Sequence, residues 1–281
     1  MEEHRTPDIV VISDVHLGTY GCHAEQLLDY LLKVTPRILI INGDFIDIWQ
    51  FKKSYFPPTH LAVLQRVLQM ANQGVKVYYL PGNHDDLLRS FNGSVLGPIQ
   101  LRDQLILQLH GKTHWFFHGD IFDTSVQISP LIARLGGYSY DFLIRVNRMI
   151  NRIREKGGRP PMSFSKTIKT RVKKAVKFIG DFEKCAIDLA FDKEYDYVVC
   201  GHIHIPQKKV ETRDGHTVHY LNSGDWVESL TALEYNNAHW TLYQHDPKAV
   251  VKEEVRIRLD HRDGEFLEPL RKIAGMPAFQ K

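Results

Sequence analysis

Short apolar runs alternate with amphipathic segments over the first 80 residues of this chain. Three runs predict buried strands: DIVVIS over Asp8–Ser13, RILIIN over Arg37–Asn42 and KVYYL over Lys76–Leu80. Between them, hydrophobic residues three and four apart predict amphipathic helices over Ala24–Val34 and His60–Asn72. This alternation of strand and helix is typical of an α/β fold.

Further strand-like runs follow in the second half, with turn residues such as Arg213-Asp214-Gly215 between neighbours. They lie at His114–Phe117, Tyr195–Cys200, Thr217–Leu221 and Trp240–Gln244. Short connections favour antiparallel pairing, so part of the sheet structure should be antiparallel or mixed. We therefore predict two sheets packed together with helices outside.

Residues 124–190 interrupt this pattern with two groups of apolar side chains at helical spacing. The glycine- and proline-rich stretch at 157–161 separates the two groups. Their members are Phe142, Val146, Met149, Ile150 and Ile153, then Phe164, Ile168, Val172, Val176 and Ile179. We interpret residues 124–190 as a helical cap inserted into a single domain that spans residues 1–281.

Five polar clusters stand where apolar runs end. They read Asp14-Val15-His16, Gly43-Asp44, Gly82-Asn83-His84-Asp85, His118-Gly119-Asp120 and Gly201-His202-Ile203-His204. Ligands of α/β folds collect at the carboxyl ends of strands, so we expect these clusters to converge. They contain carboxylates, imidazoles and one amide, which suits a pair of divalent metal ions.

The residue types suggest how two ions would share these ligands. Asp44 is the natural bridge, because one carboxylate can bind both ions. Asp14 and His16 share a face of an extended segment and can hold one ion with an imidazole of either His202 or His204. The second ion would take the rest of the set, namely Asn83, His118 and the other imidazole. Mixed oxygen and imidazole ligation suits Mn²⁺, Fe²⁺ or Zn²⁺ better than Ca²⁺, and we expect Mn²⁺.

Charge and composition narrow the class of protein. Hydrophobic residues make up 43% and charged residues 25% of the chain, as in globular proteins. Residues 141–180 carry twelve Lys and Arg against two acidic residues, although the net charge of the whole chain is only +3. Three cysteines without CxxC spacing favour a reduced, cytoplasmic compartment. The charged stretch 1–7 has no apolar core, so we expect no secretory signal.

The five clusters together resemble the signature of the calcineurin-like metallophosphoesterase superfamily over about residues 8–245. This resemblance implies a four-layer α/β/β/α sandwich and a dinuclear centre. It places His202 with Asn83 and His118, and His204 with Asp14 and His16. It also implies that His84 donates a hydrogen bond or a proton near the phosphoryl group, and we expect Asp85 to orient His84.

Within the superfamily, longer stretches resemble the UDP-2,3-diacylglucosamine pyrophosphatase branch. They are Ile12–Gly18, Gly43–Trp49, His118–Asp120, Gly201–Pro206 and Asn222–Trp226. The resemblance implies hydrolysis of UDP-2,3-diacylglucosamine to UMP and 2,3-diacylglucosamine 1-phosphate during lipid A biosynthesis. The best-known enzymes of the branch carry Arg where this chain has His84. The alternative is therefore a divergent metallophosphoesterase acting on another nucleotide, phosphodiester or phospholipid.

The basic segment bears on the partner of the protein. A basic amphipathic surface over 141–180 favours an anionic membrane surface, with the apolar face accepting acyl chains. Nucleic acid is less favoured, because few aromatic residues are interleaved with the basic ones. We expect a cytoplasmic enzyme that binds peripherally to the inner face of the cell membrane. A non-enzymatic scaffold is disfavoured by the complete set of ligand types.

Overall fold

The structure, a computed structural model, describes residues 4–48, 55–123 and 165–246, with side chains of the last range described from residue 176. Its strands are β1 (Ile9–Ile12), β2 (Ile38–Asn42), β3 (Lys76–Leu80), β4 (Val95–Leu96), β5 (Ile99–Leu101), β6 (Leu105–Leu109), β7 (Lys112–Phe116), β8 (Tyr197–Cys200), β9 (Gln207–Arg213), β10 (His216–Asn222), β11 (Thr231–Asn236) and β12 (His239–Gln244). Its helices are α1 (Ala24–Leu32), α2 (Pro58–Asn72) and α3 (Ser165–Asp192), with 3₁₀ turns at Asp86–Phe91 and Asp120–Phe122.

The strands and helices predicted in the first 80 residues are confirmed to within two residues at their ends. Helix α2 begins at Pro58, two residues earlier than predicted, because the fixed φ of proline suits the first turn of a helix. Strands β4, β5, β6, β9 and β11 were not predicted. Two of these runs hold only two or three residues, too few for a period to be recognised.

The strands form two mixed sheets. The larger has the order β12-β11-β1-β2-β3-β5-β4, and the smaller has the order β6-β7-β8-β10-β9. In the first, β1, β2, β3 and β5 are parallel, while β11 pairs antiparallel with β1. In the second, β8 lies parallel between β7 and β10. The predicted α/β fold of two mixed sheets with flanking helices is confirmed.

Alternate residues of β1 enter two different cores. Val10 and Ile12 pack in the core that includes side chains of α1 and α2. Ile9 and Val11 pack in a second core with residues of the smaller sheet, such as Phe116. All four β1 residues are buried, as expected for a central strand covered on both faces. This double burial explains why the run IVVI is continuously apolar.

Residues 121–186 form a compact unit distinct from that of residues 1–120 with 187–281. Within it, Phe122 and Phe182 meet edge to face with ring centroids 5.6 Å apart, and Phe178 is also buried. Val176, a member of the second apolar group, is 63% exposed. The predicted first cap helix and the break at 157–161 lie outside the described residues, and the cap stays a prediction.

Helix α3 is the longest helix in the part of the chain that the structure describes. No helix within those residues combines the length and the apolar character that a membrane span requires. Most of the basic segment 141–180 lies outside the described residues, so its contact with a membrane remains a prediction.

Candidate metal centre

The polar clusters follow strands that run side by side. Asp14 lies two residues after β1, Asp44 two after β2 and Asn83 three after β3, and these three strands are parallel neighbours. His118 and His202 each lie two residues after β7 and β8, which are parallel neighbours in the other sheet. Since parallel strands end at a common edge, the clusters meet there.

Five of the expected metal ligands have a left-handed backbone, which costs a non-glycine residue about 1–3 kcal/mol. They are Asp14 (φ 53°), His16 (φ 55°), Asp44 (φ 53°), His202 (φ 68°) and His204 (φ 57°). Hydrogen bonds between loops hold this geometry: the Asp14 amide donates to Gly43 O at 3.1 Å, and the His16 amide donates to Asp44 O at 2.9 Å. Strain that is retained at such a cost indicates a functional site.

One group of donors consists of Asp14, His16 and His204. Nε2 of His204 lies 3.3 Å from Oδ1 of Asp14 and 3.4 Å from Nε2 of His16. All three side chains offer a ligand atom within 4.8 Å of the others. One carboxylate and two imidazoles at this separation can bind a single divalent cation.

A second group lies beside it and consists of Asp44, His118 and His202, again with ligand atoms within 4.8 Å of one another. Oδ2 of Asp44 is 3.4 Å from Nε2 of His118 and 3.8 Å from Nε2 of His16. Oδ1 of Asn83 is 3.3 Å from Nε2 of His118. Asp44 therefore faces both groups, as a bridging carboxylate must, and the structure brings all seven expected ligands together.

The imidazoles of His16, His118 and His204 direct Nε2 to the centre and Nδ1 to a fixed partner. Nδ1 of His16 is 3.3 Å from Oδ2 of Asp47, and Nδ1 of His118 is 2.9 Å from the carbonyl oxygen of Asn42. Nδ1 of His204 is 3.5 Å from Oδ2 of Asp225. A partner at Nδ1 selects the tautomer with a bare Nε2, which is the form that binds a metal.

Charge in the centre favours a cation. Burial raises the pKa of the Asp14 and Asp44 carboxyls, but the adjacent imidazoles outweigh burial, so the pKa of Asp14 falls to about 2 and that of Asp44 lies well below its usual range. Burial lowers the pKa of His118 and His204, but the carboxylates raise the pKa of His204 to about 10 and that of His118 well above 6.5. The carboxylates thus stabilise positive charge between them, whether a proton or a metal ion.

Glycines make room for this convergence. A Cβ on Gly82 would lie 2.7 Å from Nε2 of His118 and closer still to Oδ1 of Asp44. A Cβ on Gly201 would lie 2.6 Å from Oγ of Ser13 and would also overlap Oδ2 of Asp14. The glycine positions, the donor types and the charge together fit a pair of divalent ions.

His84 stands at the side of this centre. Its backbone amide donates to Oδ1 of Asp44 at 2.8 Å, and its ring meets the His16 ring edge to face at 4.7 Å. Its Nδ1 lies 3.0 Å from Oδ2 of Asp47. His84 also offers a ligand atom within 4.8 Å of those of His16 and Asp44. A histidine placed here can contact a phosphoryl group that is bound at the centre.

The expectation that Asp85 orients His84 needs correction, because Asp47 is the carboxylate beside Nδ1 of His84. Asp85 is fully buried and accepts hydrogen bonds from the Gly82 amide at 2.6 Å, the Phe45 amide at 2.9 Å and the Tyr79 hydroxyl at 2.5 Å. Burial raises its pKa. Asp85 therefore ties the loop after β2 to the loop after β3.

The sequence singled out neither Asp47 nor Asp225 as the partner of an imidazole in the centre. Asp47 follows Asp44 by three residues, and Asp225 stands in the stretch Asn222–Trp226. Both stretches were noticed for their resemblance to a family. Neither spacing shows which imidazole a carboxylate will meet, because whole strands or helices lie between each carboxylate and its partner in the chain.

Several known proteins are similar to this chain. The family model described as calcineurin-like phosphoesterase matches residues 7–206. UDP-2,3-diacylglucosamine hydrolase from Xanthomonas campestris is 25% identical over 230 residues, covering 79% of this chain and 92% of that protein. The protein of the same name from Nitrosococcus oceani is 26% identical over 237 residues, covering 79% and 88%. The solved structure of Yfce, a phosphoesterase from E. coli, aligns with a TM-score of 0.43 at 14% identity, covering 89% of this chain and 99% of that one.

Proposed function

The chain belongs to the calcineurin-like phosphoesterase family, which implies a metal-dependent hydrolase, and we propose that its substrate is UDP-2,3-diacylglucosamine. The products would be UMP and 2,3-diacylglucosamine 1-phosphate, as in lipid A biosynthesis. The observation that carries the hydrolase proposal is the pair of donor groups that share Asp44. The choice of substrate is supported by relatives of that name, which are about a quarter identical over most of both chains.

We propose that the centre holds two Mn²⁺ ions. Asp14, His16 and His204 would hold one ion and Asp44 would bridge to the second, whose other ligands are Asn83, His118 and His202. When bound, such ions neutralise phosphoryl oxygens and lower the pKa of a water molecule. The adjacent imidazoles outweigh the effect of burial and hold the Asp14 and Asp44 carboxyls deprotonated, so both carboxylates are ready to bind a cation.

His84 is the side chain that would act on the phosphoryl group. With Nδ1 at 3.0 Å from the carboxylate of Asp47, its Nε2 is the nitrogen that would donate a hydrogen bond or a proton to a phosphoryl oxygen. The negative charge of Asp47 stabilises the protonated imidazole. The backbone amide of His84 donates to Oδ1 of Asp44, so the position of the donor is tied to that of the proposed bridging ligand.

A lipid-linked substrate also fits the proposed location of the protein. The basic segment 141–180 would rest on anionic headgroups, which places the enzyme peripherally on the inner face of the cell membrane. Acyl chains of the substrate would then enter from the membrane beside this segment.

A second candidate is a different phosphodiester, nucleotide or phospholipid, and His84 favours it. A histidine can gain and lose a proton near neutral pH, whereas the Arg expected from the resembling branch stays charged. A donor that titrates near neutral pH can protonate a leaving group whose basicity differs from that of the leaving group in UDP-2,3-diacylglucosamine.

Mass spectrometry of the products separates these candidates. Mn²⁺-loaded protein would be mixed with UDP-2,3-diacylglucosamine in detergent, with an Asp44→Asn variant as the control. UMP together with the acylated sugar phosphate, formed by the wild type alone, would support the proposed substrate. Turnover of bis-p-nitrophenyl phosphate without formation of UMP would still support a hydrolase but would reject this substrate.

A further inference from the structure

The segment Asn222–Trp226, which joins β10 to β11, is bonded to two loops of the centre. Nδ2 of Asn222 donates to the carbonyl oxygen of Gly201 at 2.8 Å, beside the first imidazole of that loop. The hydroxyls of Ser223 and Ser13 are 2.7 Å apart, and Ser13 directly precedes Asp14. Asn222, Ser223 and Asp225 are fully buried. Besides leading from one strand towards the next, the segment is therefore held against the loops that carry Asp14 and His202.

The two carboxylate oxygens of Asp225 face different partners. Oδ1 accepts hydrogen bonds from the backbone amides of Val227 at 2.8 Å, Glu228 at 2.5 Å and Ser229 at 2.9 Å. Oδ2 lies 3.5 Å from Nδ1 of His204 and 3.3 Å from Oγ of Ser229. One oxygen thus fixes the carboxylate in its own loop, and the other is presented to the imidazole.

His204 needs such a partner more than His16 and His118 do. Its side chain is 37% exposed, whereas those of His16 and His118 are 8% and 0% exposed. Packing encloses the latter two rings, whereas the more exposed ring of His204 is less confined by packing and depends more on its polar partners. Nε2 of His204 faces Asp14 at 3.3 Å while Nδ1 faces Asp225, so the ring lies between two carboxylates.

We infer that Asp225 is a positioning residue that fixes the ring and tautomer of His204 and thereby sets the affinity for the ion at Asp14, His16 and His204. This inference rests on the metal centre of the proposed function. A carboxylate behind a ligand imidazole typically changes metal affinity by about 10–100-fold. Asp225 acts on one ion only, because His118 has the Asn42 carbonyl at its own Nδ1.

Asp225→Asn is the variant that tests this inference. The asparagine keeps an oxygen for the three backbone amides, and it removes the charge that faces His204. Ser229→Ala is the matched control, since it removes a neutral hydrogen bond to the same Oδ2 and a long one, of 3.5 Å, to the carbonyl oxygen of His204. Mn²⁺ binding would be followed by calorimetry and by electron paramagnetic resonance, which distinguishes a coupled pair of Mn²⁺ ions from a single ion.

We expect Asp225→Asn to bind one Mn²⁺ about 10–100-fold more weakly and the other unchanged, with the coupled signal replaced by that of a single ion. Ser229→Ala should bind both ions within about threefold of the wild type. Unchanged affinity for both ions in Asp225→Asn would overturn the inference, and so would equal loss of both ions with a lowered melting temperature. Failure of the wild type to bind two ions would instead contradict the proposed function.

If Asp225→Asn does not fold, nitrogen-15 spectra of the Zn²⁺-loaded wild type decide the matter. A slowly exchanging proton on Nδ1 of His204 supports the inference. A proton on Nδ1 of His204 that exchanges as fast as that of exposed His239 overturns the inference, because Asp225 then does not hold the His204 ring in place.

Discussion

Oδ2 of Asp47 lies 3.0 Å from Nδ1 of His84. The same oxygen lies 3.3 Å from Nδ1 of His16, so one fully buried carboxylate serves an expected metal ligand and the expected phosphoryl donor together. Asp47 therefore couples the orientation of the donor to the geometry of the metal centre.

We expect Asp47→Asn to lower kcat by about 10–100-fold with little change in KM, because a neutral amide no longer stabilises the protonated His84. Kinetics on bis-p-nitrophenyl phosphate at saturating Mn²⁺ would measure this. Asp103→Asn, at an exposed aspartate, is the control and should match the wild type. A wild-type kcat in Asp47→Asn would show that this carboxylate has no part in turnover.

Gly82→Ala should abolish Mn²⁺ binding at the Asp44 and His118 ligands and reduce activity by more than about 100-fold. The added Cβ would overlap the Asp44 carboxylate and lie 2.7 Å from Nε2 of His118. Gly180→Ala is the control, because no atom lies within 4 Å of its Cβ position and alanine favours a helix. Equal Mn²⁺ affinity in the two variants would contradict the described packing of the centre.

Binding of Mn²⁺ should release about one proton from His204 at pH 7.5. Burial lowers the pKa of His204, but the adjacent carboxylates outweigh burial and raise it to about 10, so this imidazole is protonated without metal and must be neutral to bind it. Calorimetry in buffers of different ionisation enthalpy measures the number. His204→Gln should release about one proton fewer, and an unchanged number would exclude His204 as a source.

We predict that His114, which lies away from the centre, makes the stability of the fold sensitive to acid. It is fully buried and stacks on Tyr197 at 4.1 Å, and burial lowers its pKa from 6.5 to about 4. Below pH 6.5 the unfolded chain binds this proton and the folded chain does not, so stability falls as pH falls from 6.5 towards 4.

On lowering the pH from 7.5 to 5.0, the titration of His114 should reduce the free energy of unfolding by about 1–2 kcal/mol. His114→Phe keeps the aromatic stack and removes the titration. Urea unfolding of both proteins in EDTA should therefore show a steeper loss in the wild type. Parallel losses in the two proteins would show that His114 titrates normally in the folded state.

Much of the fold follows from the apolar runs. Runs such as IVVI in β1 are buried on both faces, and a continuously apolar run is what a strand covered on both faces requires. The clusters after these runs meet because parallel strands end together. Strands of two or three residues, such as β4 and β5, carry no period and could not be found this way.

The contacts between side chains of the loops were harder to predict than the positions of the strands. Asp85 adjoins His84 in sequence, yet its carboxylate binds the Gly82 and Phe45 amides, because successive side chains point in different directions. The spacing of His202 and His204 left open which imidazole joins Asp14. In the structure His204 does so, because Nε2 of that ring lies 3.3 Å from Asp14.

Titration of the metal-free protein with Mn²⁺, with turnover of bis-p-nitrophenyl phosphate as the readout, tests the central claim most directly. We predict no turnover without metal, a rise that saturates at two ions per chain, and none in Asp44→Asn, which lacks the bridging carboxylate. Turnover that persists in EDTA, or that is unchanged in Asp44→Asn, would contradict a metal-dependent hydrolase built around Asp44.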